Sequence, residues 1–214
     1  VIVDPTDEFE RTLHSSGSRF VIGCDEVGRG ALAGPVAVGM VVVDASVGAM
    51  PVGLRDSKLL SEPKREALAP LCAGWAIHSA VGLASADEVD RLGIIACLGI
   101  AGRRAIAALH ELGADITGAT LILDGNHDYL SPALTMRPTV TTRIKADQTC
   151  ASVSAASVIA KVHRDRLMID RDVVTPGYGW AGNKGYGSPE HLAAIAELGP
   201  SDFHRRTWLK QPAA

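Results

Sequence analysis

Phe20, Val21 and Ile22 begin a β-branched run that ends on two adjacent carboxylates, Asp25 and Glu26, followed at once by Val27-Gly28-Arg29-Gly30. A second such run occupies residues 35–43. Two charges are not left at the end of a buried strand unless something neutralises them. At an effective dielectric near 20, like charges about 4 Å apart repel by roughly 4 kcal/mol, so a cation is the natural partner. The glycines let backbone N–H groups approach a ligand closely, because no Cβ stands in the way. A metal-binding acid pair beside a backbone clamp points to phosphodiester chemistry.

The pattern along the chain surrounds this pair with a mixed α/β layer architecture. Strands are expected at residues 19–26, 36–43, 75–83, 120–123 and 139–144, from apolar or alternating runs bounded by turn residues. Ser85 with Asp87 and Glu88 resembles a capping box, opening a helix that runs to Leu112, where Gly113 stops it. A long helix is expected over residues 151–170, with small residues in its first half, and Pro189 starts a last helix. No repeat, low-complexity tract or linker divides the chain. Residues 1–214 read as a single domain large enough to bury most of its apolar surface.

Hydrophobic content of 47% and charged content of 21% fit a soluble globular protein. The apolar runs are too short to span a bilayer, and no charged leader precedes one, so a cytoplasmic, membrane-free protein is expected. Cys24, Cys72, Cys97 and Cys150 form no C-x-x-C pair and read as reduced thiols. The net charge of −3 is unevenly placed: residues 1–136 carry −7 and residues 137–214 carry +4. That asymmetry suits a polyanion held by one part and cut by the other, and it equally suits ordinary surface scatter.

Asp124 and Asp147 repeat the opening theme, each at or just beyond the end of an expected strand, where α/β sheets collect ligands. Hard oxygen ligands select Mg²⁺ or Mn²⁺ over zinc. Two such ions about 3.5–4 Å apart can activate a water and stabilise a leaving 3′ oxygen. Taken alone, Asp124-Gly125 reads sooner as a turn, and Asp147 could partly serve as a cap of the next helix.

Asp25-Glu26-Val27-Gly28-Arg29-Gly30, Asp56-Ser57-Lys58-Leu59-Leu60-Ser61, Leu123-Asp124-Gly125-Asn126, Lys145-Ala146-Asp147, the alanine-rich run over 152–165 and Asn183-Lys184-Gly185-Tyr186-Gly187 stand in that order. The ordered set resembles the ribonuclease HII family, the type 2 ribonucleases H. The resemblance implies a ribonuclease H-like fold: a five-stranded mixed sheet flanked by helices, with a small helical C-terminal portion at about residues 189–208. It implies a metal-dependent endoribonuclease that hydrolyses the RNA strand of RNA–DNA hybrids. It also implies nicking on the 5′ side of single ribonucleotides in duplex DNA, leaving 3′-hydroxyl and 5′-phosphate ends. Asp25, Glu26, Asp124 and Asp147 would hold the metals.

By the same resemblance, Gly28, Arg29 and Gly30 read the ribose 2′-OH through their backbone, the group that distinguishes RNA from DNA. Tyr186 stacks on the following deoxyribose. Lys58, Lys145 and Lys184 contact phosphates, and Arg205 and Arg206 belong to a basic segment beside the substrate groove. His163 and Arg164 read as surface residues or helix-dipole partners. The protein is expected to act as a monomer. Two rivals stay open here: a DNA nuclease or transposase-like enzyme on the same fold, and a non-catalytic nucleic-acid-binding module.

Overall fold

The computed structural model describes residues 4–135 and 138–209. Within them, one mixed sheet is built from β1 (Val21–Val27), β2 (Val36–Val43), β3 (His78–Ala84), β4 (Thr120–Asp124) and β5 (Thr139–Arg143). The helices are α1 (Glu8–Ser15), α2 (Glu62–Trp75), α3 (Ala86–Leu92), α4 (Ile94–Glu111), α5 (Ala146–Thr149), α6 (Ala151–Val174), α7 (Trp180–Asn183) and α8 (Pro189–Leu198). The spatial order of strands is β3-β2-β1-β4-β5. β1, β2 and β3 form an antiparallel meander, while β4 runs parallel to β1 and β5 parallel to β4. The five-stranded mixed sheet expected from the sequence is what forms.

Alternation along each strand sorts side chains onto two faces. Val36, Val38, Met40 and Val42 of β2 join Leu98, Ala101 and Ala105 of α4 in one apolar cluster. Val41 and Val43 join Val153, Ala155 and Ala156 of α6 in the other. Every residue of β2 is buried, as expected for a central strand covered on both sides. Glycines set how closely the helices approach. A Cβ on Gly23 would lie 2.2 Å from the Ser152 carbonyl carbon, and one on Gly39 would lie 2.6 Å from the Ala156 oxygen. On the other face, a Cβ on Gly82 would meet the Ala101 oxygen at 2.0 Å.

Several expected boundaries change. The third strand starts at His78, because Trp75 ends α2 and donates from its indole nitrogen to Gly48 O at 2.9 Å. Neither α1 nor α2 was expected. The single helix expected after Ser85 is two, separated by Gly93 at φ +80°. The capping box itself forms: Glu88 N donates to Ser85 Oγ at 3.1 Å, and Ser85 N donates to Glu88 Oε2 at 2.9 Å. The long helix α6 continues to Val174, and α8 starts at Pro189 with Ser188 as its cap.

All four cysteines are free and buried. Among the described residues, no helix is long and apolar enough to cross a membrane. The glycine contacts generate a stability test. Gly82→Ala forces a methyl group into the α4 backbone and is expected to destabilise the fold by about 1–3 kcal/mol. Thermal melting should show a fall of roughly 2–4 °C per kcal/mol; an unchanged midpoint would mean that α4 can move away without cost.

Candidate active site

The parallel pairing of β1 with β4 ends at Cys24 opposite Leu123. Asp25 and Asp124 are the next residue on each strand and therefore emerge side by side. Strand alternation turns Asp25 with Val21, and Asp124 with Ile122, toward the face covered by α6. There Asp25 meets the Ser157 hydroxyl, which is itself 2.8 Å from Ser57 Oγ. The backbone N–H of Glu26 donates to Asp25 Oδ1 at 2.8 Å. Glu26 Oε1 in turn lies 3.4 Å from an Arg29 guanidinium nitrogen.

Asp147 lies just beyond a strand end, as expected: it is the second residue of α5, one turn past β5. Lys145, at φ +59°, turns the chain. Asp124 Oδ1 then accepts from Ala146 N at 2.7 Å and from Asp147 N at 3.4 Å. The first acid thus holds the start of α5 and brings the second beside it. Lys58 Nζ donates to Asp147 Oδ2 at 3.1 Å and stands 3.9 Å from Asp56 Oδ1. Asp56 is buried and also accepts from Lys58 N at 3.0 Å.

Positive charge is scarce in this cluster. Burial pushes the Asp25 carboxyl far above the usual carboxylate range, and repulsion from Glu26 adds to the shift. Glu26 is raised by burial, with Arg29 opposing and Asp124 adding. Asp147 is raised by burial and by its neighbours Asp124 and Asp56. Desolvation acts against the Lys58 ammonium, but Asp25, Asp56 and Asp147 together hold it above its ordinary value. Among the described residues, no three acidic, histidine or cysteine side chains are closed up as a ready-made metal cage. The donors are nonetheless all hard carboxylate oxygens that repel one another, and such a set fits Mg²⁺ or Mn²⁺.

Beside the acids, Gly28 turns at φ +80°, with Ala31 N donating to Gly28 O at 3.3 Å. Arg29 and Gly30 are exposed. The turn is laced to the tyrosine loop, since Leu32 N and Ala33 N both donate to Gly185 O, at 2.8 and 3.1 Å. Tyr186 is half-buried. Lys145 is exposed near the acids. Lys184 is not an open phosphate contact: its ammonium is buried against Glu62 Oε2, at 3.3 Å, and the Ala181 carbonyl.

Two further expectations need correcting. Arg205 is fully enclosed and donates to the carbonyls of Gly28, Arg29 and Gly34, so it lies under the turn and not in a groove. Arg164 is equally enclosed and donates to Pro35, Ala33 and Lys184 carbonyls, whereas His163 is exposed as expected. Arg206 is exposed, and its backbone N–H donates to Asp90 at 2.7 Å.

A family model described as ribonuclease HII matches residues 22–211. The chain belongs to the ribonuclease HII family. The ribonuclease HII of Streptomyces avermitilis is 44% identical over 205 residues, covering 95% of this chain and 83% of that protein. The structure of ribonuclease H2 from Pyrococcus horikoshii OT3 is similar with a TM-score of 0.66 at 26% identity, over 88% of this chain and 93% of that one. Bst-RNase HIII in complex with Mn²⁺ gives a TM-score of 0.64 at 25% identity, over 87% of this chain and 65% of its own. As a member of the ribonuclease HII family, the chain is a hydrolytic endoribonuclease of the ribonuclease H type.

Ser157, Ser57 and Asp56 escaped the sequence reading as site residues. Within Asp56-Ser57-Lys58, the resemblance assigns a role only to Lys58. The raised Asp25 carboxyl generates a prediction. Folded protein takes up this proton more readily than unfolded chain does. The resulting stability is complete in acid and is lost as pH rises from the unfolded value, about 3.9, through the folded one. In chelator, Asp25→Asn should therefore be more stable than the parent at pH 7. The gap should shrink as pH falls toward 4. Melts from pH 4 to 8 that show the parent more stable at pH 7 would contradict this.

Proposed function

We propose that this ribonuclease HII family member hydrolyses the RNA strand of RNA–DNA hybrids and nicks on the 5′ side of single ribonucleotides in duplex DNA. The products would be 3′-hydroxyl and 5′-phosphate ends. The observation that supports this best is the convergence of Asp25, Asp124 and Asp147 at one sheet end, with the 28–30 turn and the Tyr186 loop laced together beside them.

Asp25, Glu26, Asp124 and Asp147 are the residues that would hold divalent ions. When bound, two Mg²⁺ or Mn²⁺ ions supply water activation and charge stabilisation at the departing 3′ oxygen. The chain's own residues prepare the place. Ser157 stands beside Asp25, while Asp124 fixes the start of α5 and with it Asp147. Lys58 offsets part of the charge of Asp56 and Asp147, and with exposed Lys145 would meet the phosphates.

Substrate choice rests on sugars. The turn of Gly28, Arg29 and Gly30, exposed at Arg29 and Gly30, suits a 2′-OH, which both donates and accepts and is present whichever base is attached. The Tyr186 ring suits the sugar of the next deoxynucleotide, where a 2′-OH would push it away. Four mutually repelling acids disfavour the reading as a non-catalytic nucleic-acid-binding module, because without a cation they repel phosphate.

Duplexes with zero, one or four ribonucleotides, assayed with and without Mg²⁺, test this function directly. Cutting of the all-DNA duplex, or of any duplex in chelator, would defeat it. Asp124→Asn is expected to lose on the order of 10³-fold or more in rate while remaining folded. Near-parental Mg²⁺-dependent cleavage by that variant would remove Asp124 from the site. Tyr186→Ala is expected to lose about 5- to 150-fold on a single embedded ribonucleotide, from roughly 1–3 kcal/mol of lost stacking. Its loss on an all-RNA strand should be smaller; equal losses would leave Tyr186 no role at the junction.

A further inference from the structure

Arg164 of α6 and Arg205 of the C-terminal segment are both 0% exposed, and their hydrogen bonds all go to backbone carbonyls. Arg164 donates from Nε to Pro35 O at 2.8 Å, from Nη1 to Lys184 O at 2.9 Å and from Nη2 to Ala33 O at 3.0 Å. Arg205 donates from Nε to Gly34 O at 3.2 Å and from Nη1 to Arg29 O at 2.9 Å. Its Nη2 reaches Gly28 O at 2.7 Å and Gly34 O at 3.1 Å.

Burying a charge is costly unless hydrogen bonds replace its water. Here two like charges are buried close together. Burial lowers both guanidinium groups, Arg205 to about 10, and repulsion from Arg164 contributes to that shift. Neutral polar residues would serve a purely structural turn at lower cost. A guanidinium supplies something they lack: a rigid planar fork whose donors fix several acceptors relative to one another.

The acceptors lie on the two segments that the junction-reading proposal uses. Arg205 holds the carbonyls of Gly28 and Arg29, so it sets the orientation of the peptide units in the 28–30 turn. Arg164 bonds the 33–35 segment and the Lys184 carbonyl at once, two residues before Tyr186. Its Cζ also stands 5.5 Å from the Tyr186 ring centroid. No Cβ fits at Gly28, where it would meet Arg164 Nε at 2.1 Å. The turn therefore rests directly on the guanidinium.

We propose that Arg164 and Arg205 are specificity-determining positioning residues: their forks set the spacing between the 28–30 turn and Tyr186. This rests on the reading of those two elements as the ribose–deoxyribose reader. A misplacement near 1 Å can cost about 100-fold, so small changes at the fork should appear in substrate preference.

The test compares kcat/KM on a duplex with one ribonucleotide and on an all-RNA hybrid strand. Arg205→Lys and Arg164→Lys keep the charge but replace the fork by a single rotatable ammonium. Each is expected to lower the preference for the single ribonucleotide by about 5-fold or more. In the Tyr186→Ala background, Arg205→Lys should change the preference no further. A loss of folded protein reduces both substrates equally and leaves their ratio untouched, so an unchanged ratio overturns the proposal.

Should neither lysine variant fold, Trp208→Leu serves in their place. It removes the ring lying 5.0 Å from Arg205 Cζ without deleting any carbonyl bond, and should lower the ratio about 2-fold. An unmoved ratio there also overturns the proposal. A ratio that shifts in Tyr186→Ala but not in the arginine variants defeats the positioning role alone. One that Tyr186→Ala leaves unmoved defeats the junction reader, and the positioning role with it.

Discussion

The contact between α6 and β1 has no room for a single methyl group, since a Cβ on Gly23 would lie 2.2 Å from the Ser152 carbonyl carbon. That contact fixes the helix against the sheet, and the rest of the site is spaced along the helix. At 1.5 Å per residue, Ser157 stands about 8 Å beyond Ser152 and meets Asp25. Arg164 stands about 18 Å beyond it and lies beneath Gly28. At the other end, Glu10 of α1 accepts from Ser152 N and Oγ at 2.8 and 2.7 Å, which ties α1 to the first turn of α6. One rigid element thus supports the acids and the sugar-reading segment together. The small residues of its first half are what make the close approach feasible.

Charge is distributed in a way that composition alone misstates. The +4 of residues 137–214 suggested a basic surface, but Arg164, Arg205 and Lys184 are buried. Their charges organise backbone carbonyls and are not spread over an outer face. The acidic centre is the reverse case. Asp25 and Asp147 are each 3% exposed and repelled by neighbours, so they destabilise the fold while uncompensated. One side of the site stores repulsion for a cation to relieve. The other holds enclosed cations satisfied by the chain itself.

Much of this is legible in the amino-acid sequence. The apolar run of 36–43 gave β2 at both ends because every residue in it is buried. Asp25, Glu26 and Asp124 stood out because charges at the ends of apolar runs have few bland explanations. Helix α2 escaped because Pro70 interrupts its hydrogen-bond ladder and Gly74 weakens its end. Trp75 and Ile77 then passed for an alternating strand. Helix α1 is short and mostly polar, and Gly93 broke a helix whose two halves share one apolar pattern. The place of Asp147 depended on a bond from Asp124 across 23 residues. The burial of Arg205 depended on carbonyls more than 170 residues away. Such tertiary pairings leave no periodic trace.

The tyrosine loop is held from its far side by a chain of neutral groups. Ser201 N donates to His204 Nδ1 at 3.0 Å, so the ring hydrogen of His204 resides on Nε2. That hydrogen points to His191 Nε2 at 3.1 Å, which also accepts from the Trp180 indole at 3.0 Å. His191 is left to donate from Nδ1 to the Tyr186 carbonyl at 2.8 Å. A second proton on either ring would set one N–H against another. Burial agrees, lowering His191 and pushing His204 down to about 4. The backbone around Tyr186 is therefore fixed by neutral imidazoles on one side and by the Arg164 fork on the other. The half-buried ring itself is flanked by Lys161 Nζ at 5.8 Å and Arg164 Cζ at 5.5 Å from its centroid, beside a turn bonded to its own loop.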